Sequence, residues 1–421
     1  MENKNSKQRV VVTGYGAVTS LGQNVAQIWD AIIDYKIGYS KYEYEDKSIT
    51  AKFFGKIPFE LDLSPFSKKV LKNAPRFCRL GLIAADEALK MAFGNDLSEL
   101  DKHYSPFKRG VIFGTGWGGS DELASNCLSY NSEGFASPLT NIQSMHNVGS
   151  AMISMNWNLR GYQNTPVSAC ATGGIAIGDA VEIIRSGRAD MIIAGGGESL
   201  NNALNVWSID ILNALSKEQE NRENACCPFD KKRNGFVLSE GAAILCLEKY
   251  ETALARGAVI LAEVTGYGNC SDAYDVTTPA PDCGGRYHAV KNALKQADIE
   301  LVDYINAHGT STQLNDLNET NMLKSVFGEK AYSVPISSTK SYTGHLIAAA
   351  GALESILSIK SIETNMIPAT INLNNPDPDC DLDYVPNKHR QVKSIQSVLN
   401  VNYGFGGSNS ALIFERYNNE I

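Results

Sequence analysis

The pentapeptide Val12-Thr13-Gly14-Tyr15-Gly16 occurs a second time, letter for letter, as Val264-Thr265-Gly266-Tyr267-Gly268. Chance can supply one such match. It does not readily supply the sequel. A helix over 77–93, with Leu80, Leu82, Ile83, Ala84, Ala88, Leu89 and Met91 at helical spacing, precedes a buried strand over 111–113. The second copy has a helix over 288–296 and a strand over 303–307. A small-residue helix over 175–185 is matched by one over 346–360, and a closing strand over 243–250 by one over 411–417. Four features in one order predict a duplicated α/β unit. Alternating strands and helices predict, for each half, a mostly parallel sheet covered by helices. The halves divide as 1–256 and 257–421, stacked into one core with a site where strand ends meet. Residues 28–33 read as helix, 191–194 as a further buried strand, and 38–64 as surface loop.

Composition narrows the function classes. The 421 residues are 43% apolar and 20% charged, as in an ordinary globular chain. A net charge of −8 argues against nucleic acid as the main partner. Nine cysteines without a C-x-x-C pair predict free thiols, no zinc site and a reducing, cytoplasmic setting. The start, Met1 to Arg9, is polar, and no apolar run reaches membrane-spanning length.

Chemistry concentrates at three glycine-rich places. In Val167-Ser168-Ala169-Cys170-Ala171-Thr172-Gly173-Gly174 a strand-like lead-in ends at a cysteine beside a helix start. Free N–H groups and the helix dipole there favour the thiolate. Asn306-Ala307-His308-Gly309-Thr310-Ser311-Thr312 follows a buried strand, and Lys340 to His345 leads into an alanine-rich helix. One buried histidine is usually structural. Two at glycine-flanked element ends, opposite a cysteine at the equivalent place, read as a reaction centre. A neutral imidazole near a helix N-terminus donates a hydrogen bond without carrying charge. The turn Tyr403-Gly404-Phe405-Gly406-Gly407 brings its backbone close to another group, so the Phe405 N–H pairs with that of Cys170 as a candidate oxyanion hole.

These motifs, with Asp316-Leu317-Asn318-Glu319 and Gly404-Phe405-Gly406-Gly407, resemble those of the elongating β-ketoacyl-acyl-carrier-protein synthases over essentially the whole chain. The resemblance implies an α/β thiolase-like fold with a five-layered αβαβα core. It implies a homodimer, or a heterodimer with a related chain-length-factor subunit, and no intrinsic cofactor or metal. The phosphopantetheine arrives on the acyl carrier protein. Cys170 takes the acyl group; His308 and His345 polarise the malonyl thioester. Lys340 and Glu319 form a structural ion pair, Thr310 and Thr312 hold the pantetheine arm, and Phe405 is a gate. Lys68, Lys69, Lys72 and Arg76 make a basic patch where the acidic carrier docks, although Asn213 stands where a carrier-binding arginine is usual. Without the resemblance, that patch is an ordinary solvated face.

Departures from the family bear on substrate. Trp117 and Ile209 fall in the acyl pocket, where an indole fills much of a straight tunnel. Asp275 and Asn234 replace a usual histidine and aspartate. These favour a specialised type II polyketide or polyene ketosynthase, with housekeeping fatty-acid elongation as the alternative. A non-catalytic chain-length factor is the non-enzyme alternative; such proteins lose the nucleophile that Cys170 supplies. Gly114 to Gly119 also fits G-x-G-x-x-G, but no acidic strand end follows at dinucleotide-binding distance. A thiolase would need a second cysteine within 400–410, where none occurs.

Overall fold

The computed structural model describes residues 8–418; of the polar stretch Met1–Arg9, residues 1–7 lie outside them. Ten strands carry the fold: β1 (Val10–Thr19), β2 (Arg109–Gly114), β3 (Gln163–Asn164), β4 (Met191–Glu198), β5 (Gly241–Lys249), β6 (Ala262–Ser271), β7 (Tyr304–Asn306), β8 (Ile336–Ser337), β9 (Ser397–Gly404) and β10 (Ser408–Glu415). The first five lie in the order β3-β2-β4-β5-β1 and the last five in the order β8-β7-β9-β10-β6. These are the same topology twice. In each set, two pairings are parallel and two antiparallel. The sets meet through β1 and β6, at Val11 opposite Glu263 and Val12 opposite Ala262.

Five helices make the layers: α1 (Arg76–Phe93), α2 (Thr172–Arg185), α3 (Gly284–Ala297), α4 (Gln313–Phe327) and α5 (Ala350–Thr364). α2 and α5 are apolar nearly all round, with Ile177, Val181, Ile184, Leu353, Ile356 and Leu357 buried among the inner faces of both strand sets. A helix of that composition belongs in a core rather than on a surface. α1 packs on the outer face of the first set, with Phe113 and Ile244. α3 and α4 pack on the outer face of the second, with Ile305, Leu399 and Ile413. The result is helix, sheet, helices, sheet, helices, the expected five layers.

The repeated pentapeptide has a physical cause. A Cβ on Gly14 or Gly16 would lie 2.2 or 2.1 Å from the carbonyl oxygens of Ala88 and Ala84 in α1. On Gly266 or Gly268 it would lie 2.3 or 1.9 Å from those of Ala293 and Ala289 in α3. Both outer helices therefore rest directly on backbone. The tyrosines face inward and cross over. The Tyr15 hydroxyl donates to Glu363 of α5 at 3.1 Å, and that of Tyr267 to Asp179 of α2 at 3.0 Å. Each half is thereby tied to the other's central helix.

Two segments differ from expectation. Residues 38–64 are not all surface loop: Ser40–Lys41 and Phe53–Gly55 form a three-stranded sheet with Leu238–Ser239. Phe53 and Phe54 are buried in two apolar clusters, Phe54 with Tyr44, Phe236 and Cys170, and Phe53 with Tyr39, Cys226 and Val237. The helix after His345 starts with a 3₁₀ turn, Ile347–Ala349, before α5. Among the described residues, no helix is long and apolar enough to cross a membrane.

The glycine contacts predict a contrast. Gly268→Ala should cost about 2–3 kcal/mol, because its Cβ meets backbone that cannot rotate away. Gly134→Asn, at a left-handed helix end with nothing within 4 Å, should cost less than about 1 kcal/mol. Denaturant unfolding of the two variants measures the difference.

Candidate active site

Cys170 sits in a 3₁₀ turn, Ala169–Ala171, that runs directly into α2. Ala169 takes φ = 46°, a left-handed conformation uncommon for a residue with a side chain. The β9–β10 turn presses on this segment: a Cβ on Gly404 would lie 2.3 Å from the Ser168 carbonyl oxygen. That approach brings the Phe405 N–H to the Cys170 sulfur. His308 follows β7, and His345 stands just before the 3₁₀ turn that leads into α5. Ring nitrogens of both histidines and the Cys170 Sγ all lie within 4.8 Å of one another. The two imidazoles meet edge to face, 5.5 Å between centroids.

Hydrogen bonds fix the tautomers. His345 Nδ1 accepts from the Ile347 N–H at 3.1 Å, so the proton of the neutral ring is on Nε2. That Nε2 is buried with no partner among the described residues. His308 Nδ1 faces the Lys340 ammonium at 3.4 Å, which again leaves Nε2 to carry the proton. Burial pushes both imidazole pKa values well down, and the Lys340 charge pushes them further. Both rings are therefore neutral donors at physiological pH. A thioester carbonyl placed between them would receive hydrogen bonds as it becomes an enolate.

Two electrostatic expectations are corrected. Lys340 does not pair with Glu319. Its Nζ donates to Glu354 of α5 at 2.5 Å and to the His308 carbonyl at 2.6 Å. Glu319, in α4, instead accepts the N–H groups of His308 and Gly309, both at 2.8 Å. It still orders the histidine loop, but as an acceptor for backbone. The thiol is not held as thiolate either: burial pushes its pKa up to about 12, against the opposing pull of Lys340 and of the Phe405 N–H. Desolvation outweighs the helix-start effect because the sulfur is buried.

A β-ketoacyl synthase N-terminal domain model matches residues 7–253 and a β-ketoacyl synthase C-terminal domain model matches residues 261–374. The chain belongs to the β-ketoacyl synthase family. It is 38% identical over 416 residues to a 3-oxoacyl-[acyl-carrier-protein] synthase 2 of Synechocystis, covering 98% of this chain and 99% of that protein. It is 39% identical over 418 residues to the Coxiella burnetii protein of that name, covering 97% and 99%. Among solved structures it resembles a type II PKS acyl-carrier protein in complex with its ketosynthase bound to the hexaketide, with TM-score 0.90, 34% identity, and 98% and 100% of the two chains covered. It also resembles the ishigamide ketosynthase/chain length factor, with TM-score 0.88, 29% identity and the same coverage.

In this β-ketoacyl synthase a cavity of about 510 Å³ leads to Cys170 and His308. Thr310 and Thr312 line it with their hydroxyl oxygens 2.9 Å apart, as does Phe405. Trp117 and Ile209 lie elsewhere, in the apolar cluster that packs against Cys170 from the side of Phe54, Phe236 and Ile347. Lys68, Lys69 and Lys72 are exposed. Arg76 is not a free member of that patch: its guanidinium holds the buried Glu240 carboxylate through bonds of 2.6 and 2.7 Å. As the first residue of α1 it anchors the helix start.

Sequence reasoning missed Glu354, Asn402 and Glu198. Asn402 donates to Glu354 at 2.6 Å and so completes the Lys340 pair. Glu198 is buried with no cation paired to it among the described residues, accepts the Gly116 N–H at 2.7 Å and has its pKa pushed up to about 8 by burial. It holds the loop bearing Trp117. The available signal was a carboxylate inside an otherwise apolar run, in Leu353-Glu354-Ser355 and in Gly197-Glu198.

Because the free thiol is protonated at rest, alkylation of Cys170 by iodoacetamide should quicken about tenfold per pH unit from roughly pH 7 to 9, without a plateau. Peptide mass spectrometry separates this from the exposed Cys127. Glu354→Ala strands a buried ammonium and should cost about 3–5 kcal/mol; Glu354→Gln, which keeps an acceptor, should cost less. Denaturant titration reads both.

Proposed function

We propose that this chain condenses malonyl units with an acyl group held on Cys170, as the elongating ketosynthase of a specialised type II polyketide or polyene system. The convergence of one thiol and two neutral imidazoles, with the sulfur and one ring nitrogen of each within 4.8 Å, carries the chemistry. In the first half-reaction the acyl-carrier's phosphopantetheine arm enters past Thr310 and Thr312. The Cys170 sulfur attacks the thioester carbonyl, whose oxyanion lies toward the N–H groups of Cys170 and Phe405. The thiol proton goes to the departing pantetheine thiolate. Phosphopantetheine is thus supplied by the carrier, and the chain itself needs no cofactor.

In the second half-reaction a malonyl thioester replaces the first arm. Its carbonyl oxygen takes hydrogen bonds from His308 and His345 Nε2–H. The bond to the carboxylate breaks, its electron pair forms the enolate, and carbon dioxide leaves. The enolate carbon attacks the acyl-cysteine carbonyl, and the released thiolate takes up a proton. Lys340, Glu354 and Glu319 act through the histidines, as positioning residues. Phe405, at the cavity wall beside the sulfur, is the gate. The 1–256 half contributes the nucleophile and the 257–421 half the donors.

The specialised reading is supported by the Trp117 indole in the apolar cluster beside Cys170 and by the likeness to the type II PKS carrier–ketosynthase complex and to the ishigamide ketosynthase/chain length factor. Those complexes also support a carrier protein, docked near Lys68, Lys69 and Lys72, and a ketosynthase-like partner subunit as the assembly. Leu128, Tyr130 and Phe135 offer exposed apolar surface for a second subunit, identical or related. Housekeeping elongation is the second reading, favoured by the 37–39% identity to synthases of the 3-oxoacyl type 2. Acylation of Cys170 across a panel of acyl-carriers decides. We expect ready loading of short or unsaturated chains and loading of long saturated chains slower by tenfold or more, about 1.4 kcal/mol or beyond. Equal loading of long saturated chains by the protein alone would sink the specialised reading. No loading of any chain, or loading that survives Cys170→Ala, would sink the ketosynthase reading.

A further inference from the structure

Arg286 stands in the first turn of α3, only 5% exposed, and lines the same cavity as Cys170, His308 and Phe405. Its guanidinium lies over the Tyr403 ring, 4.1 Å from the centroid, and Tyr403 in turn meets His308 edge-on at 5.4 Å. Its Nε and Nη1 are buried with no hydrogen-bond partner among the described residues. The other deeply buried guanidiniums are paired: Arg109 with Asp101, Arg233 with Asp377, Arg256 with Glu248. Glu319, which feels the Arg286 charge, and Asp272 are the carboxylates of this neighbourhood, and both are already engaged in hydrogen bonds. Glu319 serves the N–H groups of His308 and Gly309, and Asp272 accepts from Asn409 at 2.7 Å. The Tyr403 hydroxyl beside it is likewise buried without a partner.

An unpaired buried cation is costly, and a helix N-terminus is the wrong end for a positive charge. The aromatic face returns only part of that cost. An anion entering the cavity would remove the rest. The two substrates of the proposed reaction arrive on the same arm and differ here in one respect: malonyl carries a terminal carboxylate, and the acyl chain does not.

We propose that Arg286 receives the malonyl carboxylate. The inference rests on the ketosynthase reading and names the feature by which its cavity recognises the second substrate. The planar fork of a guanidinium matches a carboxylate through two parallel N–H···O bonds. With the thioester oxygen on the two imidazoles and the carboxylate on Arg286, the malonyl group is held at both ends. When the carbon–carbon bond breaks, the electron pair stays on the enolate carbon and carbon dioxide leaves uncharged. The pairing persists while that bond is breaking and ends only as carbon dioxide leaves, so it binds substrate and transition state about equally. Arg286 therefore governs KM for the malonyl carrier.

The test separates the half-reactions in Arg286→Gln and Arg286→Lys. In Arg286→Gln the KM for malonyl-carrier should rise about ten- to a hundredfold, as loss of charge-assisted hydrogen bonds demands. Its kcat should stay within about threefold, and acyl loading of Cys170 should be unchanged. Arg286→Lys, which keeps the charge without the fork, should fall between. An unchanged KM with normal loading overturns the inference and leaves the ketosynthase reading intact. Equal losses in loading and condensation mark a merely structural residue and also overturn it. If neither variant folds, the wild-type protein decides, through inhibition by carriers bearing a non-hydrolysable malonyl amide or the uncharged butyryl amide. Tighter inhibition by the malonyl form supports Arg286 as its receptor; equal potency refutes it.

Discussion

The active site is set by one close crossing of helices. α2 and α5 lie between the two strand sets and touch at their N-terminal ends. A Cβ on Gly173 would fall 2.7 Å from the Ala348 carbonyl oxygen, and one on Gly351 would fall 2.8 Å from the Gly174 nitrogen. Backbone meets backbone on both sides. Cys170 sits just ahead of one helix and His345 just ahead of the other, so this contact fixes the distance from sulfur to imidazole. The crossed tyrosines, Tyr15 on α5 and Tyr267 on α2, hold the two helices at that spacing. Duplication thus does more than repeat a fold: it places two equivalent helix starts face to face and lets each carry a different reagent.

Burial sets the protonation states of this arrangement, and Lys340 reinforces them at the imidazoles. A single buried ammonium faces the Nδ1 of His308, bonds its carbonyl oxygen and pairs with Glu354, which Asn402 steadies in turn. The ion pair is matched internally, so it adds no net charge to the interior. The ammonium lies 3.4 Å from His308 Nδ1 and opposes a positive charge on either imidazole. The same ammonium pulls the thiol pKa down while burial pulls it up, and burial prevails. At rest the reacting groups are uncharged. Reactivity waits for the substrate, whose thioester carbonyl would accept hydrogen bonds from the imidazoles.

Much of this was legible in the sequence, for a physical reason. A glycine pair that lets a helix rest on strand backbone tolerates no side chain, so its recurrence marks a recurring geometry. The topology follows from that. The reacting residues were legible because each lies at an element end among small residues, where a side chain projects into a cleft. Pairings across the core were not. The expected Lys340–Glu319 contact and the observed Lys340–Glu354 contact differ only in which helix lies nearer, and no local pattern encodes that. The shift of the Cys170 thiol was hidden for the same reason: the helix start is local, but burial is contributed by Phe236, Ile347 and other residues distant in sequence. The 38–64 stretch looked like loop because its strands are two and three residues long, too short for alternation to show.

On the proposed reading, that stretch also keeps substrate range apart from chemistry. The thiol, the imidazoles and their supports belong to segments of the duplicated core or to turns at its strand ends. The apolar cluster on the far side of Cys170 is built differently: Tyr44, Ile49 and Phe54 come from the small sheet region, Val206 and Ile209 from the helix Ala203–Ile211, and Trp117 from the loop after β2. None of these elements has a counterpart among the five strands repeated in the second half. On the proposed reading, a change of volume there alters which acyl chain fits beyond the sulfur without moving the α2–α5 crossing. Glu198 is the link between the two regions, since it leaves the end of a core strand and holds the Gly116–Trp117 backbone. The backbone that carries the indole is therefore fixed by the core, and on the proposed reading the side chain at that position sets the volume beside the sulfur.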